Sequence, residues 1–286
     1  MEYPEETGEG LPPMKRQQNP QDAAMKPVKA KPAREASILP SLNLVPSYKR
    51  VADLIEREIL EGRLEPGVLL PTEGELSSQL NVHRSTIREG IRSLENSGLI
   101  KRVGAKRLMV TIPDAASVAV YNSRAMGLHR VSFFELWEMQ MEMEPFCAAL
   151  SAGRISDELA REIAANVDRL EEILDDDKAV AENDIEFHHL IVKATGNKAL
   201  MLSLEHVGVL LFSATKDLYQ KVPPARHRLL QAHKTIAAAV ISHDAETARA
   251  WMAKHIRDFR RGYLIAGLDL DKPLDIDSDA LMRLER

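Results

Sequence analysis

The residues best suited to chemistry are histidines and carboxylates at helical spacing. Asp184 and His188 stand four apart in Asp184-Ile185-Glu186-Phe187-His188. Residues four apart on a helix share a face, so this pair could grip one ion. His233 and His255 each fall in the middle of a later helical stretch. Three imidazoles and one carboxylate converging in a bundle core would make a ligand set for Zn, Ni, Mn or a similar divalent ion. Spacing alone leaves the alternative open. The chain has nine histidines, and an Asp/His pair at i, i+4 is usually surface decoration.

A second chemistry sits in residues 72–112, TEGELSSQLNVHRSTIREGIRSLENSGLIKRVGAKRLMVTI. Thr72 with Glu75 three residues on is a capping-box pattern that starts a helix, and Leu76 and Leu80 give that helix an apolar face. Asn81-Val82-His83 breaks it. A second helix then runs from about Arg84 to Asn96, with Ile87, Ile91 and Leu94 along one side and Gly98 placed to end it. Arg84, Ser85, Thr86 and Arg88 crowd its first turn, away from the apolar stripe. An apolar back with a polar, arginine-bearing N-terminal turn is what a recognition helix needs to enter a major groove. Lys101, Arg102 and Lys106 lie in a hairpin with Gly104 at its tip. Residues 83–107 carry seven basic groups against Glu89 and Glu95, in a chain of net charge −5. The pattern predicts a DNA-reading winged helix-turn-helix.

The elements that must position these groups follow from composition and punctuation. At 286 residues, 44% hydrophobic and 28% charged, the chain has room for two domains with cores of their own. No apolar run approaches the ~18 residues of a membrane span, and the N-terminus has no signal-like apolar segment. Cys147 is the single cysteine, so no internal disulfide forms. It lies in an apolar helical run as a small buried side chain, and a reducing cytoplasm fits. Residues 1–46 hold eight of the fifteen prolines and read as a disordered tail, either inert or brushing DNA phosphates. Residues 47–113 form the DNA-binding domain: a first helix from Ser47 with Val51, Leu54, Ile55, Ile59 and Leu60 as its stripe, a short strand near Val68-Leu69-Leu70, and wing strands over Leu99–Val103 and Leu108–Ile112. Residues 114–268 read as helices over Ala115–Gly127, Ser132–Gly153, Ser156–Asp176, Lys178–Thr195, Lys198–Lys221, Pro223–Ser242 and Asp244–Ala266, an antiparallel bundle. Residues 269–286 read as a frayed tail. The fold class is therefore mostly α: a winged helix-turn-helix with a small β wing, then an all-α antiparallel bundle. Residues 47–112 carry eleven basic against nine acidic groups and residues 113–286 twenty-one against twenty-eight, which confines nucleic-acid contact to the head.

Two resemblances add to this reading. Pro66-Gly67, Leu70-Pro71-Thr72-Glu73-Gly74-Glu75-Leu76 and Val82-His83-Arg84-Ser85-Thr86-Ile87-Arg88-Glu89 resemble the head of the GntR family of bacterial transcriptional regulators. The resemblance implies that Arg84 and Arg88 face DNA and that Gly104 is the wing tip nearing the minor groove. The chain departs from the pattern at Gly74, where arginine is frequent, and at His83, where Ser or Thr is common. Residues 136–266 resemble the FCD ligand-binding domain of the FadR-like branch. The matching runs are Leu136, Glu144-Pro145, Ala148-Ala149, Asp184 to His188, Ala194-Thr195-Gly196-Asn197, Ala232 to Ile236, Asp244 and His255-Ile256. This resemblance implies a divalent metal held by Asp184, His188, His233 and His255, with positions open to a small carboxylate-bearing effector. Where many members aim an arginine at that carboxylate, this chain has Gln140, able to donate to a hydroxyl or amide. Asn197, His206 and Tyr219 are further candidates for the cavity wall.

The expected function is a ligand-responsive, non-enzymatic transcriptional regulator, with repression relieved by effector as the default. A homodimer would place two recognition helices about one DNA turn apart on a pseudo-palindromic operator. Two alternatives stand beside it. In a metal-dependent hydrolase the His/Asp set would activate water, but no motif supplies a general base. A ligand-independent architectural DNA-binding protein would have no use for the Asp/His set.

Overall fold

The computed structural model describes residues 45–104, 107–275 and 277. The proposed N-terminal tail, apart from Val45 and Pro46, lies outside the described residues, as does Lys106. Among the described residues are ten helices and one small sheet.

The head begins with α1, Ser47–Leu60. Val51, Ala52 and Ile55 are its buried residues, whereas Leu54 and Leu60 are 40% and 74% exposed. The expected broad stripe is thus narrower than its apolar residues suggest, because α1 buries only the face that meets α3. Helix α2, Glu73–Leu80, starts with the full Thr72/Glu75 capping box and ends at Asn81 in the left-handed region. Helix α3, Arg84–Asn96, buries Ile87, Ile91 and Leu94. A Cβ on Gly90 would lie 2.9 Å from the Tyr48 carbonyl oxygen, so glycine there lets α1 and α3 approach closely. Gly98, at φ +72°, supplies the left-handed residue beyond α3.

The wing is a three-stranded antiparallel sheet of β1 (Leu69–Leu70), β2 (Ile100–Val103) and β3 (Arg107–Val110), in the order β1-β3-β2. Leu69 pairs with Met109 and Ile100 with Val110. The expected strands are present, with β1 and β2 each starting one residue later and β3 running from Arg107 to Val110 rather than from Leu108 to Ile112. Val51, Ile55, Leu76, Ile87, Ile91, Leu94, Leu108 and Val110 join in the head's own core.

Seven helices follow: α4 (Ala115–Leu128), α5 (Phe133–Ala152), α6 (Asp157–Glu172), α7 (Asp177–Ala194), α8 (Lys198–Lys221), α9 (Ala225–Ile241) and α10 (Ala245–Ile265). Side-chain caps open most of them: Ser132 with Glu135 for α5, Ser156 for α6, Asp176 for α7, Asn197 for α8 and Asp244 for α10. Helix α6 stops short of its expected end. Arg226 on α9 binds the Leu174 carbonyl at 2.7 Å and Asp177, the first residue of α7, at 2.7 Å, spanning the loop between the two helices. Helix α5 lies along α10, fastened by the Trp137 indole donating to the Ile256 carbonyl at 3.1 Å and by Phe133 stacked on Tyr263 at 4.0 Å. Helices α6 and α7 are joined by reciprocal amide bonds between Asn166 and Asn183 of 3.2 and 3.0 Å. Met139, Met141 and Met143 pack partly buried against this core, and Cys147 is fully buried, its thiol pushed up to about 12 by burial and by Glu144.

Two expectations change here. Residues 270–274 are not frayed: Phe134 donates to the Leu270 carbonyl and Leu274 to that of Val131, both at 2.9 Å, and Ser132 bridges to Pro273. Backbone pairing, invisible to a periodicity test, holds this segment against the start of α5. Helix α8 is also long and apolar enough by composition to cross a membrane, but 56% of its most apolar window is buried inside the protein, as befits the core helix that α4 and α7 flank.

Candidate metal centre and nucleic-acid interface

Helix α7 buries Val180, Phe187, Leu190 and Ile191 on its inner face. That packing turns Asp184 and His188, one turn apart, into the bundle. His233 enters from α9, fully buried with its ring stacked 3.7 Å from that of Phe187, and His255 enters from α10. Gly208 on α8 faces Ile185, and a Cβ there would collide with that side chain; glycine lets α8 close over α7 beside Asp184.

One ligating atom from each of Asp184, His188, His233 and His255 lies within 4.8 Å of the other three. Nε2 of His188 is 3.1 Å from Nε2 of His255, and Oδ1 of Asp184 is 3.2 Å from Nε2 of His233 and 3.6 Å from Nε2 of His188. Asp184 Oδ1 and both His233 ring nitrogens are buried without a properly directed hydrogen bond. Close but misaligned lone pairs are what donors show when they point at a common centre rather than at each other. Three imidazoles and one carboxylate within reach of one point would suit a divalent transition ion, with Zn, Ni and Mn all compatible. The donor set fits the group.

The electrostatics agree. Burial works to raise the Asp184 carboxyl, but His188 and His233 outweigh it and hold the group far below the usual carboxylate range. Burial lowers His233 despite Asp184, and burial together with His233 and His188 holds His255 well below its ordinary value. Both shifts favour the neutral imidazole, the form that ligates. His188 differs: burial would lower it, yet Glu144 and then Asp184 raise it to about 10. Two carboxylates facing three imidazoles favour a positive charge at their centre, whether proton or cation.

Glu144 of α5 is the functional residue that sequence reasoning left without a role. Its Oε2 meets Nδ1 of His188, orienting the ring from behind as carboxylates do for ligating histidines. Its Oε1 accepts from Gln140 Nε2 at 2.8 Å. The available signal was the Gln140/Glu144 spacing of four on a buried helix face. The Gln140 donor, expected for a ligand, is thus spent inside the protein.

A cavity of about 260 Å³ opens beside these groups, walled by Gln140, Asp184, His188, His255 and Thr215 together with apolar residues of α7, α8 and α10. The other proposed wall residues fall elsewhere. Asn197 caps α8, its Oδ1 accepting from the Ala199 and Leu200 amides. His206 is buried on α8, is lowered by that burial, and does not line the cavity. Tyr219 is likewise off the wall, but it stands beside Asp184, which after burial is the largest cause raising its phenol.

In the head, Arg84, Ser85, Thr86 and Arg88 occupy the first turns of α3, and Lys101, Arg102 and Gly104 lie on the wing. Arg88 and Arg102 are 56% and 41% exposed as side chains. They meet through Glu73, which lies 3.3 Å from Arg88 Nε and 3.2 Å from Arg102 Nη2, while Arg102 also binds Glu95 at 2.9 Å. A Cβ on Gly74 would lie 3.3 Å from Arg84 Nη2; the glycine leaves room for that guanidinium. Gly104, at φ +69°, makes the tight wing tip.

The model of the bacterial regulatory proteins of the gntR family matches residues 47–110, and that of the FCD domain matches residues 135–258. An uncharacterized HTH-type transcriptional regulator of Mycobacterium tuberculosis is 28% identical over 73% of this chain and 86% of its own length. The HTH-type transcriptional repressor NanR of Klebsiella aerogenes is 24% identical over 73% of this chain and 84% of its own. The solved structure of Streptococcus agalactiae GntR matches with a TM-score of 0.54 at 28% identity, covering 75% of this chain and 99% of that one.

Proposed function

Because this chain belongs to the GntR family of bacterial transcriptional regulators, in the FadR-like branch with an FCD domain, we propose that a divalent-metal site in its bundle makes operator binding answer to a small carboxylate. The chain is a regulator of transcription and not an enzyme, so the His/Asp centre serves binding. The single observation that carries the proposal is the convergence of four ligating atoms within 4.8 Å beside a cavity that Asp184, His188 and His255 line.

Asp184, His188, His233 and His255 would hold the cation, with Glu144 fixing the His188 ring. When bound, the cation supplies a positive centre to which a carboxylate can bind. Residues 47–113 act as the operator-reading domain and 114–268 as the effector domain. Arg84, Ser85, Thr86 and Arg88 read or hold DNA in the major groove, while Lys101, Arg102, Gly104 and Lys106 contact it from the wing. The protein works in the cytoplasm as a homodimeric repressor on a pseudo-palindromic site. The effector relieves repression by binding one bundle arrangement more tightly than the other, which is the requirement for any such coupling.

Elemental analysis of the purified protein beside Asp184→Ala tests the centre. About one divalent ion per chain, lost in the variant, is the expected result. An ion content unchanged by the substitution would remove the basis of the proposal.

A further inference from the structure

The cavity beside the four ligands carries a polarity that says which carboxylate it suits. Among the described residues its wall includes Glu144, Glu182, Asp184, Glu186 and Glu205 but neither lysine nor arginine. Several of these carboxylates are engaged within the protein: Glu186 with Arg169 at 2.6 Å, Glu205 with His189 at 2.8 Å, and Glu144 with His188. Acidic character alone would therefore decide nothing.

Gln140 decides it. The residue is 5% exposed and lines the cavity. Its amide orientation is fixed by chemistry, since a carboxylate only accepts and Gln140 Nε2 is the group 2.8 Å from Glu144 Oε1. The carbonyl oxygen Oε1 is left, buried and without a partner among the described residues. A buried acceptor left unpaired is costly, so this corner of the site asks for a donor. A second carboxylate placed there would bring acceptor against acceptor, with the Glu144 charge behind it. An ammonium group answers both the acceptor and the charge. Much of the remaining wall is apolar, with Val192, Leu204, Val207, Leu211, Ile256 and Phe259.

We infer that the effector is a small zwitterion, an α-amino acid with an apolar side chain, whose ammonium group sits against Gln140 Oε1 and Glu144 and whose carboxylate turns toward the histidines. The inference rests on the ligand-responsive reading above and narrows it.

Titration calorimetry on the metal-loaded full-length protein, freed of excess metal, tests it. The probes are leucine, valine and phenylalanine, each beside its 2-hydroxy and 2-oxo counterpart, so that one skeleton is compared with an ammonium, a hydroxyl and no donor. At least one amino acid should bind ten-fold or more tighter than its hydroxy acid, and tighter still than its oxo acid. Gln140→Met, which keeps the bulk and removes the acceptor, should erase most of that preference while retaining carboxylate binding. Circular dichroism and metal content show whether the variant is folded and loaded. Hydroxy or oxo acids binding more tightly than amino acids would overturn the inference and leave the wider proposal standing. Silence from all three sets overturns it too; a matched panel of dicarboxylates and sugar acids, scored by operator release, then tells whether the wider proposal fails with it.

Discussion

The head and the bundle solve recognition on opposite plans. On α3 and the wing, the arginines proposed to meet DNA are exposed, as with Arg88 at 56% and Arg102 at 41%, and all lie within one run of sequence. In the bundle the four proposed ligands are wholly or largely buried, His233 completely, and they arrive from three helices separated by up to 71 positions between Asp184 and His255. Exposed charges act through a screened field and suit a long polyanion whose contacts add. Buried donors act at low effective dielectric on one small ion, where each depends on the others. Losses should therefore be graded in the head and near total in the bundle.

The largest expected effect is metal withdrawal. A ligand present at a hundred times its dissociation constant stabilises the native state by about 2.7 kcal/mol. For a domain of this size that corresponds to roughly 5–10 °C in melting midpoint. Chelation should therefore lower the wild-type midpoint by that order and leave His233→Ala unmoved. An equal chelator response in both proteins would mean that the cation sits elsewhere. Operator affinity without effector should be the same in the variant, since α3 and the wing are untouched.

Next comes Arg84→Ala or Arg88→Ala. Each should cost about 1–3 kcal/mol of operator binding, and loss of a phosphate contact should lower the salt slope by about one. The pair of single variants and the double variant together test the contrast, because independent exposed contacts add whereas clustered ones do not. Metal content should stay at the wild-type value. A smaller step is Thr72→Ala, which removes the hydroxyl that accepts from the Glu75 amide at 3.3 Å. N-cap losses cost about 0.5–2 kcal/mol, so the head should melt earlier with no change in the bundle's ion content.

The same contrast explains what was legible in the chain. The head is written locally: the Thr72/Glu75 box, the break at Asn81 and Gly98 after α3 are short-range signals, and the structure keeps them. The bundle's helices were legible from Gly, Pro and cap residues at their joints. Its candidate centre was only weakly legible from spacing, because only the Asp184/His188 pair is local; His233 and His255 were candidates by their mid-helix positions, and resemblance to a family joined them to that pair. Glu144 escaped because its role is set by how α5 packs on α7, and Gln140, a donor on the cavity wall as expected, gives its hydrogen to that same carboxylate. Asn197 shows the reverse error. A polar residue just before a helix is first a cap, and Thr195-Gly196-Asn197-Lys198 carried that signal. Residues 270–274 were missed because backbone pairing leaves no periodic mark.

The smallest expected effect is the one that distinguishes the two plans most finely. Glu73 sits within the proposed DNA-reading face and spends its charge on Arg88 and Arg102. Burial raises its carboxyl, but Arg102 and Arg88 outweigh that and hold it below its ordinary value of 4.5. A depressed carboxyl contributes stability above the unfolded-state value and loses it as pH falls through the lower folded value. Glu73→Gln should thus melt slightly below wild type at neutral pH, with the two midpoints converging in acid. Exposed pairs of this kind are worth about 0.2–1 kcal/mol, and DNA phosphates compete for the same guanidinium groups. Operator affinity at low salt should accordingly rise a few-fold in Glu73→Gln, with the gain fading as salt screens it. A loss of affinity would instead mean that Glu73 serves the interface by aiming Arg88 and Arg102, making the head as dependent on internal order as the buried centre.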